Sequence, residues 1–125
     1  TEIGTIFLDT KLQIKRFTPA MGEIFNLIQS DIGRPIGDIT TKVIYGQLYN
    51  DAKNVLNTLR RKEVEIKSKG NKWFSMCIMP YRTLENVIEG VVVTFVNITN
   101  YKQIAEKYKK SEEKLKKLQK NKKAK

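Results

Sequence analysis

Two segments in the second half of the chain are apolar on both faces when they are read as β-strands. Residues 73–81 and 87–98 lack the alternation of apolar and polar side chains that a half-solvated strand shows, and the second contains three consecutive valines. Because successive side chains of a strand point to opposite faces, these strands must be covered on both sides. Helices of the same chain can cover one face. We expect the other face to need an additional segment or a partner chain.

The first part of the chain reads as a β-hairpin followed by a helix. Residues 4–8 and 12–17 are rich in β-forming side chains, and a turn at residues 9–11 separates them. Thr18-Pro19 predicts a helix start, with Thr18 as the N-cap and Pro19 at the first helical position. The buried face of this short helix is predicted to consist of Ile24, Phe25, Leu27 and Ile28.

A longer helix and an alternating strand follow. Residues 46–60 carry apolar side chains at helical spacing, and residues 63–67 alternate, with Val64 and Ile66 predicted to point inward. The helical stripe consists of Leu48, Ala52, Val55 and Leu59. The predicted order is therefore strand, strand, short helices, long helix, three strands and a final helix.

The final helix is predicted over residues 101–120, with Thr99 or Asn100 capping its start. Its apolar side chains fit a heptad repeat, which predicts a parallel two-chain coiled coil and hence a homodimer. The a and d positions are Tyr101, Ile104, Tyr108, Ser111, Leu115 and Leu118. A solvated amphipathic helix without a partner is the alternative. Residues 121–125 offer nothing to bury and are expected to be disordered.

The net charge of +11 is concentrated in this last segment. From residue 102 onward there are eleven lysines and three glutamates, a net charge of +8, whereas residues 1–101 carry only +3. A basic zipper would place arginines before its heptads to read bases. Here the basic residues are all lysines, lie among and after the heptads, and favour a solvated connector. A basic nucleic-acid-binding module remains the less favoured alternative.

Composition excludes several kinds of site. The chain has no histidine, which rules out histidine-ligated haem, a histidine-containing zinc site and a serine–histidine or cysteine–histidine nucleophile. We expect no metal site. Cys77 is the single cysteine, so no intrachain disulfide can form, which fits a reducing, cytoplasmic location. No apolar run is long enough to span a bilayer. Because the chain begins with Thr1 rather than Met, we expect it to be a segment of a longer protein.

Several short motifs, in order along the chain, resemble those of PAS sensor domains. The resemblance covers about residues 3–100. It rests on the opening hairpin at residues 6–14, Thr18-Pro19-Ala20, Asp31-Ile32-Gly33-Arg34-Pro35, Met79-Pro80-Tyr81-Arg82, Gly90-Val91-Val92 and Asn97-Ile98-Thr99. The combined wording of Phe17-Thr18-Pro19-Ala20, Asp31-Ile32-Gly33-Arg34-Pro35 and Pro80-Tyr81-Arg82-Thr83 is similar to the PAS subgroup found in chemotaxis methyltransferase/methylesterase fusion proteins and related sensor histidine kinases.

The resemblance implies an α+β PAS fold, in which a five-stranded antiparallel sheet carries helices on one face and encloses a pocket beneath the long helix. Residues 1–100 would form the sensor domain and residues 101–125 a signalling helix with a lysine-rich tail. The candidate walls of the pocket are Phe25, Leu48, Val55, Leu59, Phe74, Met76, Ile78 and Phe95. The alternative is that these side chains simply fill the core.

A polar ligand would also need convergent polar groups, for which Arg34, Tyr45 and Tyr49 are the candidates. Arg34 could hold a carboxylate, or it could instead make a structural hydrogen bond within its turn. The flavin photosensors of the family need a reactive cysteine in an Asn-Cys-Arg context on a helix, whereas Cys77 lies in a predicted strand. A flavin is therefore not expected, and a metabolite or no ligand at all remains open.

The implied function is sensory and not catalytic. A change in the core would pass through Asn97, Ile98 and Thr99 to the final helix, and from there to an effector domain, for which a histidine kinase is expected. The family usually has Asp where this chain has Asn97, which replaces a charged group by a neutral one. No residue pattern predicts independent catalysis. A scaffold that mediates protein contact without sensing is the alternative function.

Overall fold

A five-stranded antiparallel sheet forms the centre of the fold, in a computed structural model that describes residues 3–43, 45–68 and 70–123. The strands are β1 Ile3–Asp9, β2 Ile14–Phe17, β3 Lys62–Lys67, β4 Trp73–Arg82 and β5 Ile88–Asn97. Their order across the sheet is β2-β1-β5-β4-β3, so the last strand in sequence lies at the centre, between β1 and β4. Strands β2 and β3 form the two edges.

Four α-helices accompany the sheet, and the first three are inserted between β2 and β3. They are α1 Pro19–Phe25, α2 Thr40–Val43, α3 Leu48–Thr58 and α4 Thr99–Lys123. Short 3-10 turns at Gln29–Asp31 and Ile36–Ile39 connect α1 to α2. Helix α1 packs on β1, and α3 packs on β4 and β5. The predicted α+β architecture and the predicted order of elements are confirmed.

The final helix is longer than the sequence predicts. It begins at Thr99, directly after β5, and continues to Lys123. The expected disorder from residue 121 is therefore wrong for residues 121–123, while residues 124–125 lie outside the described part of the chain. A helix carries its own hydrogen bonds, so it can continue through a segment that has nothing to bury.

Helix α1 begins at Pro19 with Thr18 at the N-cap position, as predicted, but the side chain of Thr18 does not cap the helix. Thr18 is extended, and its hydroxyl accepts the backbone N–H of Thr5 on β1, at 3.1 Å, instead of an N–H of the helix. The helix ends early, because Asn26 adopts a left-handed conformation with φ of 56°. As a result Ile28 is 57% exposed, and its predicted burial is wrong.

The core lies between the sheet and helices α1–α3. Its largest fully buried side chains are Ile6, Leu8, Ile14, Met21, Ile36, Ile39, Val43, Leu48, Phe74, Met76, Ile78 and Phe95. Three phenylalanines meet at its centre, where the ring centroid of Phe25 lies 5.4 Å from that of Phe74 and 5.0 Å from that of Phe95. Edge-to-face and tilted pairs of this kind add to the stability that the burial of their area provides.

The opposite face of the sheet is also apolar along its central strands, as the sequence predicts. Met79 and Val92 pair across β4 and β5 on this face, and both are half-buried. Phe7 lies beside them on β1, where its ring meets Tyr81 edge to face at 5.7 Å and lies 4.1 Å from the guanidinium of Arg16. We call this surface, formed by the outward side chains of β1, β4 and β5, the outer sheet face.

Gly90 is required where β5 passes between its neighbours. Its φ is +152°, and a Cβ at this position would lie 1.8 Å from the carbonyl oxygen of Leu8. Neither the left-handed backbone nor the close approach to β1 tolerates a side chain.

We therefore expect Gly90→Ala to lower the free energy of unfolding by about 3 kcal/mol or more, since backbone strain and displacement of β1 act together. Chemical denaturation followed by circular dichroism measures this change. Gly46→Ala is the matched control, because nothing lies within 4 Å of the added Cβ. A Gly90→Ala variant as stable as the Gly46→Ala variant would contradict the requirement for glycine at position 90.

Candidate signal-transmission site

The sheet and the final helix meet at Asn97, Ile98 and Thr99. The Oδ1 atom of Asn97 accepts hydrogen bonds from the backbone N–H of Thr99 at 3.0 Å and from its hydroxyl at 2.7 Å. The side chain that caps α4 is therefore Asn97, and not Thr99 or Asn100 as the sequence predicts. An amide oxygen accepts these bonds as a carboxylate oxygen would, so the cap itself does not require a charge.

Trp73 joins the first turn of α4 to strand β4. Its backbone N–H donates to the hydroxyl of Thr99 at 2.9 Å, and its carbonyl accepts the N–H of Ile98 at 2.8 Å. The start of α4 is thus bonded to β4 as well as being continuous with β5. The apolar character of Trp73 predicts a place on the outer sheet face, and it gives no indication of these backbone bonds.

Lys102, one turn into α4, ties the helix to the edge strand. Its Nζ lies 2.5 Å from Oε1 of Glu65 on β3 and 4.9 Å from the ring centroid of Trp73. Lys67 approaches the same ring at 5.8 Å. Neither Glu65 nor Lys102 is singled out by the sequence, although the alternation of β3 places Glu65 on the outward face.

An open cleft of about 510 Å³ lies between the start of α4 and the β3–β4 hairpin. Its walls are formed by Lys67, Asn71, Trp73, Thr99, Lys102, Gln103, Glu106 and Lys107. Three lysines face one glutamate here, so the cleft is positively charged. It lies at the helix junction and not beneath the long helix, where the sequence predicts a pocket.

The residues predicted as pocket walls lie together in the core, with one exception. Seven of them are at most 3% exposed: Phe25, Leu48, Val55, Phe74, Met76, Ile78 and Phe95. Leu59 is 41% exposed, because it ends α3 in a left-handed conformation that turns the chain away from the core. The structure therefore brings the other seven together and leaves Leu59 outside.

Among the polar candidates, Tyr45 is already bonded within the protein. Its hydroxyl donates to Oδ2 of Asp51 at 2.6 Å, and Nζ of Lys62 lies 2.8 Å from Oδ1 of the same carboxylate. Burial, followed by the hydrogen bond to Asp51, raises the pKa of Tyr45 to about 12. Tyr49 is 40% exposed on the solvent side of α3.

Arg34 makes a structural contact within its turn, which is one of the two roles that the sequence leaves open for it. Its Nη1 lies 3.1 Å from Oδ1 of Asp31, a carboxylate only 1% exposed. Asp31 also accepts the N–H of Ile28 at 2.9 Å and Nζ of Lys42 at 3.1 Å. The backbone bond from Ile28, assisted by Lys42 and Arg34, lowers the pKa of Asp31 although burial opposes the change.

Because the pKa of Asp31 is lowered in the folded state, the stability that it contributes is present above its unfolded value of 3.8 and is lost as the pH falls through the folded value. We expect Asp31→Asn to lower the free energy of unfolding at pH 7 by about 1–3 kcal/mol. The gap between this variant and the unmodified protein should narrow as the pH falls below 3.8. Urea denaturation from pH 7 to pH 3 measures both effects.

Asp38→Asn is the control, because Asp38 is exposed at a turn close by. A pH-independent gap for Asp31→Asn, or an equal loss for Asp38→Asn, would contradict the role of Asp31.

The predicted coiled-coil positions form an exposed stripe along α4. Tyr101, Ile104 and Tyr108 are each 67% exposed, and Leu115 and Leu118 are 59% and 56% exposed. Within one chain these side chains have no core to join. The coiled coil therefore stays a prediction, and the stripe is the surface that it would use.

Across residues 3–43, 45–68 and 70–123, no group of three or more acidic or cysteine side chains is placed to hold a metal ion. No helix in that part of the chain is long and apolar enough to cross a bilayer.

The fold is an α+β domain whose central strand continues directly into a helix. Residues 1–99 match the family described as PAS domain, and the chain belongs to this family. A 104.1 kDa protein in the hypE 3' region of Rhodobacter capsulatus is 34% identical over 102 residues. The match includes 82% of this chain but only 11% of that protein.

Solved structures show the same fold at lower identity. The PAS domain of the histidine kinase ThkA superposes with a TM-score of 0.64 at 21% identity, covering 76% of this chain and 98% of that one. A sensory box sensor histidine kinase from Vibrio cholerae gives 0.64 at 10% identity, covering 78% and 82%. A VqmA–ligand–DNA complex from the same genus gives 0.63 at 16% identity, covering 76% and 45%.

Proposed function

We propose that this chain is the sensory and dimerising PAS module of a larger signalling protein, in which residues 1–100 sense and residues 101–125 transmit. The observation that carries the proposal is the bonding of Trp73 to Ile98 and Thr99. Through these bonds a shift of the central strands moves the first turn of α4. The domain acts by a change of packing at an interface and carries out no chemistry itself.

A histidine kinase is the proposed effector. Its support is the similarity in fold to the PAS domains of two histidine kinases, together with the heptad pattern of α4, which suits a connector between paired domains. The short motifs also resemble the PAS subgroup found in chemotaxis methyltransferase/methylesterase fusion proteins. Membership of that subgroup is the narrower proposal. The single unpaired Cys77 is the reason for proposing a cytoplasmic location.

Two apolar surfaces support a homodimer. The stripe on α4 offers five large side chains that a parallel copy can bury, and lysines at flanking positions keep the remaining faces solvated. The outer sheet face adds half-buried apolar side chains on three adjacent strands. A second copy that covers both surfaces would meet the requirement of strands that are apolar on both sides.

A protein-contact scaffold without a ligand is the second candidate function. It is favoured by the packing of the core, where Phe25 contacts both Phe74 and Phe95 and the polar candidates Arg34 and Tyr45 are bonded to carboxylates of the protein. The sensor is favoured by the similarity in fold to VqmA, a protein that was solved in complex with a ligand and DNA.

We expect Leu115→Lys to weaken dimerisation at least about tenfold, because each copy loses a buried side chain worth about 1.5–3 kcal/mol and gains a like charge at the interface. Sedimentation velocity over a range of concentrations measures the change. Gln103→Lys, which adds the same charge outside the stripe, is the control and should leave dimerisation within about twofold. An unmodified chain that stays monomeric at high concentration would contradict the dimer.

Native mass spectrometry of freshly purified protein separates the sensor from the scaffold. The sensor predicts a population whose mass exceeds that of the chain by one small molecule and which loses the excess on collisional activation. A spectrum that contains only the unliganded chain favours the scaffold. Protein denatured and refolded in defined buffer is the control, because it carries over no cellular ligand.

A further inference from the structure

Strand β3 is held by an ion pair near each of its ends. At its start, Nζ of Lys62 lies 2.8 Å from Asp51 of helix α3. Near its other end, Oε1 of Glu65 lies 2.5 Å from Lys102 of helix α4. The same edge strand therefore contacts the helix that covers the core and the helix that leaves the domain.

The side of this connection at α3 is well buried. Asp51 is 8% exposed and also accepts the hydroxyl of Tyr45, so its carboxylate is fixed by two partners. Helix α3 places Leu48, Ala52 and Val55 in the core. A change in core packing that moves α3 therefore moves the carboxylate that holds Lys62.

At α4, the connection to β3 depends on one residue, Lys102. Lys102 is half-buried, with a side chain 31% exposed, while the helix residues that follow it, from 103 to 121, are exposed. In the part of the chain that the structure describes, its ion pair with Glu65 is the only one between α4 and the sheet. Lys102 also lies against the ring of Trp73.

As an edge strand, β3 is free to move in a way that a central strand is not. It pairs with β4 alone, from Lys62 opposite Ile78 to Lys67 opposite Trp73. Its other side has no strand to oppose a small displacement. Its backbone is paired with β4 along its whole length, from Lys62 to Lys67, which ties the positions of Lys62 and Glu65 to each other.

We propose that β3 couples core helix α3 to signalling helix α4 through Lys62–Asp51 at one end and Glu65–Lys102 at the other, with Lys102 as the positioning residue for α4. The proposal rests on the proposed signalling function and names the residues that carry its relay. A displacement of α3 moves β3, Glu65 moves Lys102, and the first turn of α4 shifts against Trp73.

A direct electrostatic effect of Asp51 on Trp73 is too weak to replace this route. The strand positions opposite Ile78 and Trp73 are five residues apart, which is about 17 Å along an extended chain. Asp51 is neutralised by Lys62, whose side chain is 41% exposed, and charges in contact with solvent are largely screened beyond about 8–10 Å at ordinary salt. A response of Trp73 to a change at Asp51 therefore has to pass through the structure.

Trp73 is the single tryptophan of the chain, so its fluorescence reports on the junction without a label. The experiment compares the unmodified chain with Asp51→Asn, Glu65→Gln and the double variant. Emission maximum and acrylamide quenching are read for each. Glu63→Gln is the matched control, because Glu63 lies on the same strand and pairs with Arg61 instead of α4.

We expect Glu65→Gln to raise the acrylamide quenching constant of Trp73 about twofold, a modest change in keeping with a partly exposed ion pair. Lys102→Gln should do the same. Asp51→Asn should shift Trp73 in the same direction by a smaller amount, and the double variant should show no more than Glu65→Gln alone. Glu63→Gln should leave Trp73 unchanged.

Two results would overturn the coupling. One is an Asp51→Asn variant that leaves Trp73 unchanged although its stability falls. The other is an effect of Asp51→Asn that persists at full size in the Glu65→Gln background, since independent routes add. If Asp51→Asn does not fold, Lys62→Gln takes its place. It removes the same ion pair by changing the partner whose side chain is 41% exposed.

Sedimentation of the same variants keeps this test separate from the proposed function. Additive effects on Trp73 in variants that still dimerise would overturn the coupling through β3 and leave the signalling module intact. A chain that neither dimerises nor retains a ligand would overturn the proposed function, whatever the tryptophan shows.

Discussion

The hydrogen bonding of β5 between β1 and β4 is the constraint on which the rest of the structure depends. Residues 90–96 of β5 pair with both neighbours, and Val91, Val93 and Phe95 are fully buried on the inner face. Because the strand that closes the core is also the strand that continues into α4, the packing of the core and the direction of the final helix cannot change independently. Gly90 lets β5 enter this position against β1.

Two buried carboxylates fix the helices that lie over this sheet. Asp31 accepts a backbone N–H and forms ion pairs with Arg34 and Lys42. Asp51 accepts the hydroxyl of Tyr45 and forms an ion pair with Lys62. Removing one partner of such a carboxylate leaves an uncompensated buried charge. Each carboxylate therefore holds the connecting segments around it in place. Glu65 and Lys102 form a third, more exposed ion pair, and it is the one that the proposed coupling through β3 uses.

Secondary-structure elements are predicted well from the sequence where they depend on a local pattern. Side-chain bonding partners are predicted poorly where they lie far apart in the chain. Alternation locates β3, and Thr18-Pro19 locates the start of α1, because each depends on neighbouring residues. The hydroxyl of Thr18 bonds to β1 thirteen residues away, and Asn26 ends α1 early enough to expose Ile28. Most of the predicted pocket walls are buried together, but apolar periodicity cannot distinguish the wall of a pocket from a filled core.

By itself the sequence determined the α+β order of elements, the two strands that are apolar on both faces, and the exposed stripe of α4. These follow from side-chain periods that a single segment contains. Only the tertiary structure decided that Asn97 caps α4, that Trp73 bonds to its first turn, and that Lys102 contacts Glu65. The contacts of Trp73 and Lys102 join residues far apart in the chain, so their geometry is set when the sheet aligns its strands. Asn97 lies only two residues before Thr99, and it caps α4 because β5 ends at Asn97 and the helix begins at Thr99.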